Sequence, residues 1–200
     1  SPDGSAPDAS DPDAESDPAG DVTFCEVISV LDREPKDLGH EDTIVFFNDS
    51  DKFHYEKSAD FADLRSGVIC TPNNFLYDEP LKEGMMRVTA LANYDLWAGL
   101  DEDRYRLEKL KWYDEIVASA ARFVPDFRGA TIDSDMFTPT TIRRFTGHIN
   151  GAVYGAPRKR YDGMTHLDNL FICGTDQGFM GIIGAIISGV SMANHHCLMK

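Results

Sequence analysis

Short apolar runs rich in β-branched residues dominate the first half of the chain. Val22–Leu31, Thr43–Asn48, Gly67–Pro72 and Met86–Ala92 each have the length and composition of a strand. Turn-prone stretches follow the first two, Asp32-Arg33-Glu34-Pro35 and Asn48-Asp49-Ser50-Asp51. Four such runs with no long helix between them predict a mostly antiparallel sheet. After Leu100 the period changes to three and four, with Leu110, Tyr113, Ile116, Val117 and Ala120 in step. Asp101, Glu102 and Asp103 stand at the start of this stretch, Arg122 near its end, and Pro125 stops it. The spacing predicts one amphipathic helix over 101–123 covering a face of the sheet, with Trp112 and Tyr113 in the core or a groove. Thr131–Phe137 reads as one more strand. Thr138 and Pro139 suit the N-cap and first turn of a short helix through Phe145, and a glycine-rich connection, Gly147–Pro157, follows.

The C-terminal stretch has a different pattern. Leu167–Cys173 is an apolar run of strand length that stops at Gly174-Thr175-Asp176-Gln177-Gly178. Phe179–Ala193 then runs almost wholly apolar, punctuated by Gly181, Gly184 and Gly189. The order reads as buried strand, tight turn and buried helix, the arrangement that holds a nucleotide-type cofactor. Gly174 and Gly178 would supply backbone angles closed to other residues, and Gly181 and Gly184 would allow close approach to the helix start. The first turn of such a helix offers unpaired N–H groups and the positive end of its dipole. Asp176 is placed to accept hydrogen bonds from sugar-type hydroxyls or from the turn itself. Plain tight packing of a core helix explains the same glycines. A membrane anchor needs roughly 20 apolar residues, more than this stretch has before His195 and His196.

Charge narrows the function classes. The net charge is −15, and residues 1–20 hold five Asp, Glu15 and no Lys or Arg. That segment repeats Ser, Pro, Asp, Ala and Gly without an aromatic residue, so it reads as a disordered acidic linker over 1–20. An acidic chain with one short basic cluster, Arg158-Lys159-Arg160, excludes nucleic acid as the expected partner. Cys25, Cys70, Cys173 and Cys197 lack paired spacing, which points to reduced thiols and a cytoplasmic setting. His195-His196-Cys197 points to different sides of a helix, so no metal site is expected. No signal peptide is visible, and a first residue other than Met suggests that the true start lies elsewhere.

In combination, the chain resembles the C-terminal half of a phytoene desaturase or carotenoid isomerase type flavoprotein, within the amine-oxidase-like group. The resemblance is carried by Leu91-Ala92-Asn93-Tyr94-Asp95-Leu96-Trp97, Phe137-Thr138-Pro139-Thr140-Thr141 and Asn150-Gly151-Ala152-Val153-Tyr154-Gly155. It closes on Asn169–Gly174 and Gly181–Gly189, and spans about residues 22–197. It implies an α+β / α/β organisation: a mostly antiparallel substrate-domain sheet with a covering helix over 21–145, then the C-terminal strand and helix of an FAD-binding Rossmann-like domain over 146–200. It also implies FAD, a hydrophobic polyene or carotenoid-like substrate, and desaturation, saturation or isomerisation. On this likeness Gly174, Thr175 and Asp176 would lie along the ribityl or pyrophosphate part. Gly181, Ile182, Ile183 and Gly184 would meet the flavin's pyrimidine edge, with Arg143, Arg144, His148 and Tyr154 as polar groups near the flavin. No catalytic residue is singled out.

The family's glycine-rich G-x-G-x-x-G fingerprint has no counterpart here. The missing FAD-binding half would then belong to a longer chain or a separate polypeptide. Peripheral membrane contact is a further expectation, drawn from the greasy substrate class. The alternative is a non-catalytic interaction or regulatory module that kept the fold without the cofactor.

Overall fold

The computed structural model describes residues 18–199. The acidic segment read as a linker therefore lies almost entirely outside the described residues. Two compact units emerge, one running from Gly20 to Gly155 and the other including Ala156 onward. The contact boundary thus falls later than the 145/146 boundary read from the sequence.

The first unit is mixed α and β. Its strands are β1 (Thr23–Leu31), β2 (Ile44–Asn48), β3 (Ser66–Cys70), β4 (Gly84–Ala92) and β5 (Thr131–Phe137), and its helices are α1 (Tyr94–Ala98), α2 (Glu102–Ala120) and α3 (Pro139–Thr146). The strands form one antiparallel sheet in the order β2-β3-β4-β1-β5. All five strands read from the sequence in this unit are present, with ends shifted by at most two residues.

Two-residue alternation decides which face is packed. Cys25, Val27, Ser29 and Leu31 of β1 and Met86, Val88, Ala90 and Ala92 of β4 are buried on the side covered by α2. The helix presents Trp112, Ile116, Val117, Ser119 and Ala120 to them. Tyr113 reaches Ser29 through its hydroxyl at 2.6 Å, and the Trp97 indole donates to the Phe61 carbonyl at 3.0 Å. Leu110, counted on the apolar stripe from its spacing, is 68% exposed, and Trp112 takes its place in the packing. The helix also ends three residues short of the expected 123.

Local capping fixes where the helices begin. The Asn93 side chain accepts from the N–H groups of Asp95 and Leu96 at 3.1 and 3.4 Å, and the Asp101 side chain accepts from Arg104 N–H at 2.9 Å. Thr138 and Thr141 form a reciprocal capping box with Pro139 in the first turn of α3.

The C-terminal unit departs from expectation. Leu167–Cys173 forms no strand; it contributes only the isolated bridge of Phe171 to Met164. Asn169 adopts φ 61, which breaks the extended run, and Leu170 and Cys173 are exposed. A run buried in a parallel sheet needs strand neighbours for its N–H and C=O groups, and the described residues provide none beyond that bridge. The helix itself forms where the glycines place it, as α4 (Gly181–Ala193), continuing into a π-helical turn at Asn194–Leu198. It is not buried as read: Ser188 is its one buried residue, whereas Ile182 is 83% exposed and Ile183, Ile186 and Val190 are exposed too. Among the described residues no helix is long and apolar enough to cross a membrane.

Candidate functional site

Within the C-terminal unit, the expected cofactor residues fall on one turn and the helix start after it. Gly174 has φ 88 and Gly178 φ 111, as their proposed roles require. The turn is tied by Phe179 N–H donating to the Gly174 carbonyl at 3.2 Å and Gly178 N–H to that of Thr175 at 3.1 Å. The Gly174 N–H donates to Ser188 Oγ at 2.6 Å, Ser188 donates in turn to Gln177 Oε1, and Gln177 Nε2 donates to the Tyr161 carbonyl at 2.8 Å. Ser188 and Gln177 are both buried, so a polar lock holds the turn against the middle of α4. Neither residue stood out in the sequence, where Ser188 is one serine in an apolar run.

Asp176 is partly committed within its own unit. One carboxylate oxygen accepts the Ala156 N–H at 2.6 Å, and its carbonyl accepts the Arg160 N–H at 2.9 Å. Of the two roles read for it, bonding to backbone N–H is present, with the donor coming from the 156–160 loop rather than from its own turn.

Among the described residues no side chain caps α4. Gly181 sits at φ 75, and a methyl group there would meet no heavy atom within 4 Å. The side chains of Ile182 and Ile183 beside it are exposed. At Gly184 an added Cβ would stand 3.1 Å from the Phe179 carbonyl carbon, so this glycine serves packing within the helix start.

The polar groups suggested for the flavin's surroundings have partners of their own in the first unit. Arg143 donates to the Tyr94 hydroxyl and lies over its ring, and His148 Nδ1 is 2.8 Å from the Ala152 carbonyl. The Arg144 guanidinium lies over the Phe145 ring. Among the described residues no group of His, Cys, Asp or Glu side chains is placed to hold a metal ion.

A second feature escaped sequence reasoning. The sheet face opposite α2 carries Phe24, Glu26 and Ile28 of β1, Arg87, Thr89 and Leu91 of β4, Val68 and Cys70 of β3, and Phe46 of β2, by register. Over one half of it lies a cavity of about 480 Å³ lined by Phe24, Phe46, Phe53, Tyr55, Val68, Leu91 and Tyr154, with Thr89 among its few polar side chains. That volume is in the range of small-molecule sites. Phe53 and Tyr55 come from the polar stretch after β2 and Tyr154 from the glycine-rich connection, and the Tyr55 and Tyr154 rings lie 6.1 Å apart. Burial raises the Tyr55 pKa, with Tyr154 adding to the shift, so this phenol stays neutral at ordinary pH. Residues from loops this far apart in sequence leave no local motif; the one signal was the density of aromatics from Phe46 to Tyr55.

The other half of the face is polar. Glu26 is buried and Arg87 half-exposed, and Arg87 Nε donates to Glu26 Oε1 at 2.6 Å. Thr89 Oγ1 donates to Glu26 Oε2 at 3.2 Å, linking this pair to the cavity wall.

No family model matches the chain, and no curated protein matches it.

Proposed function

We propose that this chain is the C-terminal part of an FAD-dependent oxidoreductase of the phytoene desaturase or carotenoid isomerase type, acting on a hydrophobic polyene-like substrate. The observation that carries the reading is the start of α4, which has no side-chain cap among the described residues and where a side chain added at Gly181, φ 75, would meet no heavy atom within 4 Å. Bound there, FAD would supply the redox chemistry of desaturation, saturation or isomerisation.

The chain's own residues would bind and orient. The amides of Gly181, Ile182, Ile183 and Gly184 favour negative charge at the helix start. Gly174 and Thr175 present a glycine turn to the polar part of the cofactor, with Ser188 and Gln177 holding that turn in shape. The aromatic cavity on the sheet suits an apolar substrate. In this reading the Rossmann-like domain is completed by a G-x-G-x-x-G-bearing half, from upstream sequence or a separate polypeptide, and the exposed isoleucines of α4 are covered by it.

A cytoplasmic protein with peripheral membrane contact fits the apolar substrate, although a net charge of −15 opposes electrostatic attraction to anionic lipid. Sedimentation with liposomes tests that contact, and a protein that stays in the supernatant lacks it.

The decisive test is the flavin absorption spectrum of the protein purified together with its FAD-binding half. A yellow complex that is lost on Gly181→Leu, in a variant whose urea-unfolding curve matches the parent's, supports the reading; the new side chain meets no neighbour, and the unfolding curve separates its effect on the cofactor from the backbone strain that φ 75 imposes. A protein that stays colourless with added FAD overturns it and leaves a non-catalytic interaction module.

A further inference from the structure

We infer that the open face of the sheet selects an apolar ligand that ends in a hydroxyl group, with its hydrocarbon part in the aromatic cavity and its oxygen on the Thr89, Glu26 and Arg87 array. The inference rests on the reading above that the sheet unit holds an apolar molecule, and it adds what distinguishes that molecule from a plain hydrocarbon.

Three observations converge. The cavity is lined mainly by carbon, and Thr89 belongs both to its wall and to the ion pair through the bond to Glu26 Oε2. Thr89 stands directly opposite Glu26 on β1 and opposite Val68 on β3, so polar and apolar halves of the face meet at this residue. A buried carboxylate on a face otherwise rich in Phe24, Val68 and Leu91 is costly to keep, which makes it a marked feature of the surface.

The chemistry of the array sets the head group. Arg87 directs Nε and one Nη of its five-donor fork at a single Glu26 oxygen, while Thr89 retains acceptor lone pairs beside the cavity. The ion pair is neutral as a unit. A carboxylate head attracted by Arg87 is repelled by Glu26 beside it, and a head that only accepts forgoes the acceptor atoms. A hydroxyl both donates and accepts, and satisfies the array without adding charge.

The test uses displacement of the apolar dye Nile red from the full chain by decan-1-ol, decyl methyl ether and decanoate at pH 8, without FAD. Decan-1-ol should displace the dye at about tenfold lower concentration than decanoate or the ether, the size of one net hydrogen bond. Thr89→Val, near-isosteric on a strand, should narrow the alcohol-to-ether gap to about twofold or less, since only the hydroxyl's bonds are removed. Phe46→Ala, at an exposed position, should weaken all three ligands together. Decanoate displacing best, a gap untouched by Thr89→Val, or no displacement by any of the three would each overturn the inference. Because FAD is absent from every arm, failure here is separate from failure of the absorption test for the cofactor.

Discussion

The Gly174 N–H and the Ser188 hydroxyl are hydrogen-bonded at 2.6 Å, which fastens the glycine turn to the middle of α4. Ser188 also donates to Gln177, and both side chains are buried, so one oxygen satisfies two groups that lack water. Ser188→Ala removes both bonds and leaves a partly buried amide and a buried carboxamide oxygen unpaired, at a cost of about 1–3 kcal/mol. In hydrogen exchange, the Gly174 amide of the variant should lose protection by about tenfold or more. Unchanged protection would mean that the turn is held by its backbone bonds alone.

His40 predicts a pH dependence. It is buried against the Phe127 ring at 5.8 Å, and its Nε2 lacks a partner among the described residues. Burial lowers its pKa, partly offset by the Pro125 carbonyl. The unfolded chain therefore binds the proton more readily than the folded one. This contribution to stability is complete above the unfolded value of about 6.5 and declines as pH falls below it, until the folded value is passed. Urea titrations at pH 7.5 and 5.5 should show the decline, and His40→Leu should flatten it. The Asp126 carboxyl, held down to about 2 chiefly by its hydrogen bond from Arg128, acts in a separate window. Its contribution is present above about 4 and is lost only as pH falls toward the folded value.

The Glu26 and Arg87 pair predicts non-additive stability. Arg87→Leu leaves Glu26 buried with only Thr89 as partner and should cost about 1–3 kcal/mol, the lower end reflecting the half-exposed guanidinium. Replacing both residues by leucine should recover most of that loss, since a neutral apolar pair needs no partner. A urea-unfolding double-mutant cycle measures the coupling, and additive losses would show that the pair contributes little.

Gly67 is held small by its neighbours. A Cβ there would lie 2.7 Å from the Thr89 carbonyl oxygen and 2.8 Å from the Phe47 ring, which borders the cavity. Gly67→Ala should destabilise the protein by about 1–3 kcal/mol, as overpacking does. Weaker binding of an apolar dye should accompany the loss, because the ring must shift; a variant with normal stability and dye binding would show that the strand yields freely.

The first unit was legible where a local rule and burial agree. The β-branched runs that became β1 and β4, the acidic start of α2 at Asp101–Asp103, and the Thr138-Pro139 start of α3 each depend on near neighbours in sequence, and each formed as read. Leu110 failed because a helical period fixes a stripe but not which of its edges meets the sheet. Leu167–Cys173 failed for a related reason: apolar content states a need for strand partners without providing them.

The sequence by itself determined the five strands, α2 and α3, the glycine turn at 174–178 and the start of α4, because turn chemistry, capping and periodicity act over a few residues. The tertiary structure decided that β5 pairs with β1, that Ser188 locks the glycine turn, and that Phe24, Tyr55 and Tyr154 enclose one cavity beside Thr89. Those groupings join residues distant along the chain, and only the folded backbone's register and crossings bring them within reach of one another.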